Sequence, residues 1–313
     1  MGGLWGELGR KLADRWLSLL VLPGVLYVAT VAAAHTLGQR HALDAPFLIQ
    51  EVTAFAQQPT VTGVGGQIVL VGAIMIASAT AGLVAEAVGS LVERLVLAVG
   101  WKAWPLGLPA VAGWWVRRRQ RRWDDAHGVY HRQRRLALAP DPADRPDPAV
   151  GRAALARRTR IALERPERPT WSGDRVQAVA LRLDRDHSMD LAVVWPYLEP
   201  ALPEALGARI SEARASLVRA TTLAGWAVLY AALAHRWWPA VLVALVLAAA
   251  ARHRTRRCVD AYARLLEVAA RLHTPDLAAQ LGFEHTGPLT ADLGARLTHH
   301  LRGSSPPPVP AGG

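Results

Sequence analysis

Asp124, His127 and His131 stand at i, i+3 and i+7, which would put one carboxylate and two imidazoles on a single helix face, with Asp125 behind them. That is the smallest donor set from which a protein builds a divalent metal site. Gly128 weakens the helix at this point, and six nearby arginines oppose a bound cation, so a surface helix is expected and no metal ligand is assigned. His299-His300 is an adjacent pair near the C-terminal tail and gains no metal role. Ser172 lies close to Asp174 in Trp171-Ser172-Gly173-Asp174, but no histidine is placed beside it, so the segment reads as a helix start. The chain lacks Gly-x-Gly-x-x-Gly, a Walker loop, Gly-x-Ser-x-Gly and His-Glu-x-x-His. Neither enzyme activity nor a cofactor is expected.

The strongest chemical signal is a stretch of guanidinium groups. Arg117, Arg118, Arg119, Arg121, Arg122, Arg132, Arg134 and Arg135 are interleaved with Trp114, Trp115, Trp123 and Tyr130. Beside nucleic acid such a segment would neutralise phosphates and stack on bases. Beside a bilayer it would bind anionic lipid headgroups, at about 1 kcal/mol per basic residue near the surface. Its position next to apolar spans favours the bilayer, and nucleic acid is not the expected partner. A second feature is a row of small residues, Ala73, Ala77, Ala81, Ala85 and Gly89, at four-residue intervals, with Ser78, Gly82 and Glu86 on the adjacent row. Such ridges let helix backbones approach closely in lipid. This one suits subunit assembly or packing on the first span of the same chain, and packing within the chain is expected. Glu86 is a candidate intramembrane carboxylate, a class of group that often serves ion or proton movement.

These residues need apolar helices to position them. Ile68 to Ala85 is eighteen residues without a formal charge, close to the length of a membrane-crossing helix. Four spans are expected: Leu17 to Leu37, with a kink near Pro23 and Gly24, then Gln67 to Val92, Leu217 to Ala234, and Trp237 to Ala251. The last is short, because fifteen residues rise only about 22 Å. The 313-residue chain has a net charge of +11 and carries 34 Arg but two Lys, a bias that fits a GC-rich genome. Outside the spans, basic residues number 3 before the first, 1 in the loop 38–66, 22 over 93–216, 1 at Arg236 and 8 after Ala251. The alternation places both termini and the middle region on the cytoplasmic side. Leu95 to Val116 is apolar too, yet Lys102 and Pro105-Leu106-Gly107-Leu108-Pro109 interrupt it. An interfacial or re-entrant path is expected, with Trp101, Trp104, Trp114, Trp115 and Trp123 at headgroup depth. The lone Cys258 excludes an internal disulfide.

The expected organisation is all-α: an integral membrane protein with about four transmembrane helices as two hairpins, plus a small helical cytoplasmic region. Its segments are an N-terminal hairpin (1–92), an interfacial segment with a basic helix (93–138) and a cytoplasmic helical region split by a Pro-rich linker (139–216). A second hairpin (217–251), a helical tail (252–303) and a disordered end (304–313) complete it. Leu206, Ile210, Ala213 and Leu217, and Val259, Tyr262, Leu266 and Ala269, form apolar stripes. Both helices of the second hairpin should therefore continue inward as an antiparallel stalk.

Pro169-Thr170-Trp171-Ser172-Gly173-Asp174-Arg175, Trp195-Pro196-Tyr197-Leu198 and Trp237-Trp238-Pro239-Ala240 resemble segments that recur in uncharacterised Ala/Arg-rich multi-pass inner-membrane proteins of high-GC bacteria. The resemblance covers roughly the second half of the chain and implies a plasma-membrane protein acting with a neighbour. The expected function is a membrane-anchored scaffold or effector that docks a cytoplasmic protein at the inner surface. The alternative is an oligomeric pore or transport protein.

Overall fold

A computed structural model describes residues 22–58, 63–105, 107–141 and 145–303. Among them the chain is all-helical, with no strand. The ten α-helices are α1 (Leu22–Leu37), α2 (Ala45–Ala56), α3 (Val64–Leu97), α4 (Leu108–Ala137), α5 (Pro148–Ile161), α6 (Trp171–His187), α7 (Leu191–Ala201), α8 (Glu204–Leu233), α9 (Ala240–Gln280) and α10 (Ala291–Leu301). Residues 17–21 of the expected first span, the basic N-terminal segment and the tail 304–313 lie outside the described residues. Two helices, α3 and α8, are long and apolar enough to cross a membrane, while α1 is apolar but shorter.

The chain divides into two units. The first comprises Met1–Glu93 and Val218–Arg254, the second Arg94–Leu217 and Thr255–Gly313. Segments that the sequence separates, 93–216 and the tail after the fourth apolar stretch, thus belong to one body.

In the first unit small residues let backbones touch. A Cβ at Gly24 of α1 would collide with the carbonyl of Ser78 on α3, and one at Gly225 of α8 with the carbonyl of Ala85. A Cβ at Gly89 would lie 2.7 Å from the Cα of Thr222. The row of α3 buried by these contacts is Ser78, Gly82, Ala85 and Gly89. This corrects the expected ridge: Ala85 and Gly89 belong to the contact row, whereas Ala73 and Ala77 are exposed and Ala81 is half-buried. A 4-3-4 spacing keeps one face of an α-helix in register where a strict repeat of four drifts around the cylinder. Tyr27 adds aromatic weight, its ring 5.8 Å from Trp226 and 5.2 Å from Tyr230. At one end the turns after α1 and after α8 clasp each other. Gln39 donates to the carbonyls of Ala234 and His235 at 3.1 and 2.9 Å and accepts from the amide of Trp238 at 3.2 Å. Trp237 Nε1 donates to the carbonyl of Ala42 at 2.8 Å. The outer surfaces of α3 stay apolar, with Ile68, Val69, Val71 and Ile76 all more than half exposed.

The second unit has its own core. Val179 and Leu183 of α6, Val194 and Leu198 of α7, Leu266, Ala270 and Leu277 of α9, and Leu293 and Leu297 of α10 form one buried cluster. Of the apolar stripe on α9, Leu266, with Tyr262 beside it, packs into this cluster of α6, α7, α9 and α10. Gly294 lets α10 sit directly on the carbonyl of His187. Thr170, not Ser172, caps α6, its Oγ1 accepting the Gly173 amide at 3.0 Å. Ser188 ends the same helix at φ 50°, donating its amide to the Asp184 carbonyl at 2.8 Å. This left-handed geometry penalises a Cβ. Ser188→Gly should accordingly raise stability by about 0.5–1 kcal/mol, read as a higher Tm in detergent. An unchanged or lower Tm would count against the strained cap.

Candidate functional site: the arginine helix and its two faces

The apolar stretch 95–116 is not one helix. Helix α3 stops at Leu97, Ala98 and Gly100 take left-handed φ of 48° and 64°, a short 3-10 turn spans Trp101–Ala103, and α4 starts behind Gly107 at φ 73°. Glycine makes the left-handed φ at Gly100 and Gly107 sterically cheap. Helix α4 then carries the arginine run around its circumference at about 100° per residue. Ala112, Val116, Trp123 and Ala126 are buried on one stripe, and Arg119 falls on that stripe between Val116 and Trp123. The Pro-rich stretch expected to act as a linker does not hold α4 and α5 apart. The two helices pack against each other as a helical hairpin, and at its bend the Arg145 Nε donates to the Ala139 carbonyl at 2.9 Å.

Arg119 and Trp123 therefore leave the expected lipid-facing set. Arg119 donates to the carbonyls of Arg168 at 2.7 Å and Ile161 at 3.0 Å, and it pairs with Asp174 Oδ2 at 2.5 Å. Its side chain is 14% exposed and that of Asp174 is 6% exposed. Asp174 Oδ1 accepts the amides of Glu167 and Arg168 at 2.9 and 2.8 Å. Trp123 Nε1 donates to the carbonyl of Ala162 at 3.0 Å, and Gln120 to that of Pro166 at 2.8 Å. Arg168 reaches the carbonyl of Leu97 at 2.9 Å and Gln177 at 2.5 Å, while Thr170 Oγ1 donates to the carbonyl of Val96. A non-helical strap, residues 162–170, has few backbone partners of its own, and these side chains supply them. Burial pushes the Asp174 carboxyl above the ordinary aspartate range. The Arg119 charge and the two amides pull it back without cancelling that rise.

The other face of α4 is open. Arg117, Arg118, Arg121, Arg122, Arg132, Arg134 and Arg135 are exposed. Trp114 and Trp115 are about half exposed, at 49% and 47%. The Arg118 guanidinium lies 5.4 and 5.7 Å from their ring centroids, within cation–π range. Trp114, Arg117, Arg118, Arg121 and Arg122 line one shallow cleft. None of these four arginines faces a carboxylate at ion-pair distance among the described residues.

The Asp124–His127–His131 trio is used otherwise. Asp124 accepts a two-pronged pair from Arg165 at 3.0 and 3.1 Å, which holds its carboxyl below the ordinary range. His127 stacks on Trp123 at 4.4 Å and meets His131 edge-on at 4.2 Å. Burial, then the neighbouring His131 and Arg158, lower the His127 pKa. No group of three metal-ligating side chains occurs among the described residues. Glu86 is exposed on α3.

Sequence reasoning missed a closed ring of charges in the second unit. Glu164 joins Arg182 and Arg185, each at 3.2 Å, and Asp186 joins Arg185 at 3.0 Å and Arg271 at 3.1 Å. Glu267 completes it, 3.4 Å from Arg271 and 3.8 Å from Arg182. The hydrogen bond from Arg185 lowers the Asp186 carboxyl pKa, opposed in part by desolvation and aided by Arg271. Only the Glu267/Arg271 member has an i, i+4 signature visible in sequence. No family profile, curated protein or solved structure matches the chain.

Proposed function

We propose that the protein is a membrane-anchored scaffold whose helical domain is held at an anionic bilayer surface by the open face of α4 and there docks a partner protein. The observation that carries this reading is the split of α4. One arginine, Arg119, serves the fold, while Arg117, Arg118, Arg121 and Arg122, with two half-exposed tryptophans, face outward. Indole rings beside guanidinium groups match the chemistry of the headgroup region. In this reading the membrane is a bacterial plasma membrane, crossed four times as two hairpins, with both termini and the arginine-rich domain cytoplasmic. The 3, 1, 22, 1 and 8 distribution of basic residues supports the orientation. The clasp between the Gln39 and Trp237 turns is consistent with two hairpins whose turns share one side. The α9 surface bearing Val268 and Leu272, 44% and 63% exposed, is the suggested docking face. The row Ser78, Gly82, Ala85 and Gly89 is occupied inside the protomer, which favours packing within the chain over an oligomeric pore.

Reconstituted vesicles provide the test. Lipids quenching at headgroup depth should dim the native protein more than those quenching at acyl-chain ends, and the excess should vanish in a Trp114→Phe/Trp115→Phe variant. The same vesicles should show no ion flux. In cells, a photo-crosslinker at Leu272 should give a discrete adduct with another protein. Quenching strongest from the bilayer centre, or flux above empty vesicles, would overturn the reading.

A further inference from the structure

A cleft of about 400 Å³ in the second unit is lined by Trp123, His127, Arg158, Glu164, Arg182, Arg185, Asp186 and Arg271. The closed ring accounts for most of its charge: Arg182, Arg185 and Arg271 alternate with Glu164, Asp186 and Glu267, three cations against three anions. Arg158 stands outside that balance. No carboxylate lies within ion-pair distance of it among the described residues. Its guanidinium rests 5.0 Å from the Tyr130 ring and 5.8 Å from Trp123, and its NH1 lies 3.5 Å from His127 Nδ1. Burial first, then His131 and Arg158, favour the neutral imidazole of His127, which leaves Arg158 as the cation at this end of the cleft. The Nε atoms of Arg158 and Arg271 are both buried and have no hydrogen-bond partner.

A buried donor without a partner is costly, and one on a guanidinium more so. Both arginines line this cleft, and Arg158 gives it a surplus positive charge. The Arg158 guanidinium is a planar N–H fork, which fits the oxygens of a tetrahedral oxyanion better than a spherical ion. Arg271 has only its Nε unengaged, since its other nitrogens meet His187, Asp186 and Glu267. The volume exceeds what one inorganic ion needs and lies at the small end of ligand sites. We propose that the cleft is a receptor for the phosphoryl group of a small phosphorylated ligand, with Arg158 as principal anchor and Arg271 as second donor. The phosphomonoester of a lipid headgroup and that of a soluble metabolite share this chemistry. The site does not rest on the membrane reading and would survive its failure.

Pyrophosphate is the probe, added to the purified full-length protein in detergent at constant ionic strength set with chloride. It should raise the Tm of the native protein in a saturable way. Arg158→Gln should weaken the apparent affinity at least tenfold, while Arg209→Gln, exposed on α8, should bind as the native protein does. Should Arg158→Gln melt far below the native protein without ligand, Arg158→Lys serves instead. It keeps the charge, loses the fork, and should bind with intermediate affinity. Competition by dihexanoyl phosphatidic acid at matching concentration would assign the site to a headgroup; pyrophosphate binding undisturbed by it would assign a soluble ligand. Stabilisation no greater than that by chloride, or equal in native and Arg158 variants, would overturn the proposal.

Discussion

Gly225→Ala should unfold or strongly loosen the first unit, although it adds a single methyl group. The added Cβ would overlap the carbonyl of Ala85, with the backbone amide of Gly89 at 3.0 Å also in its way. Neighbours of that kind belong to the main chain of one long helix, α3, and cannot rotate aside. Overpacking typically costs about 1–3 kcal/mol, and a backbone obstacle puts this site at the upper end or beyond. Ala77→Leu is the contrast, since Ala77 is exposed on α3 and a larger apolar side chain there meets no helix among the described residues. The expected result is a large fall in Tm for Gly225→Ala in detergent, with Ala77→Leu close to native and the oligomeric state the same in both. A native-like Gly225→Ala would show that α3 and α8 do not meet at these positions. Loss of oligomers in Ala77→Leu would return the strict four-residue ridge to a role in assembly.

Asp174→Ala should be the most damaging single change in the second unit. It leaves the largely buried Arg119 without its counter-ion and strips the acceptor from the amides of Glu167 and Arg168. Removing one member of a buried pair costs about 3–5 kcal/mol, and orphaned amides add to that. Asp174→Asn should be milder, because one oxygen still accepts both amides. The pH dependence separates the two contributions. Burial raises the carboxyl pKa in the folded state, so the folded protein holds this proton more tightly than the unfolded chain does. The associated stability is complete below the ordinary aspartate pKa and is lost as pH rises through the elevated one. The stability difference between the native protein and Asp174→Asn should therefore shrink between acidic and neutral pH, as followed by denaturant melts. A difference that grew with pH would mean that the pairing with Arg119 outweighs desolvation.

The Arg119–Asp174 pair also marks where sequence periodicity runs out. Five arginines within six positions look alike in one dimension, and their shared charge points all of them to the lipid surface. Extending the stripe of Ala112, Val116, Trp123 and Ala126 through α4 places Arg119 inward, so a signal for that residue is present. Its partner carries no such mark: Asp174 is 55 residues away, beyond any helical periodicity. The same holds for Arg168, whose carbonyl acceptor on Leu97 is 71 residues distant. The Pro-rich segment 139–148 has the composition of a linker, but composition does not reveal that α5 folds back on α4.

Local chemistry determined the helical class, the apolar stretches of α3 and α8, the break between Leu97 and Leu108, and the segregation of basic residues. Each of these comes from side-chain periodicity, glycine and proline stereochemistry, or charge counted along the chain. Tertiary structure decided which small residues touch, which arginine is buried, and that six charges from the 162–170 strap, α6 and α9 close into a ring beside Arg158. Those outcomes depend on segments as far apart as Ala85 and Gly225 being brought within a few ångströms. Backbone contact at a glycine or an ion pair between distant helices leaves no local periodic trace, because the sequence around each partner reads the same whether or not the contact forms.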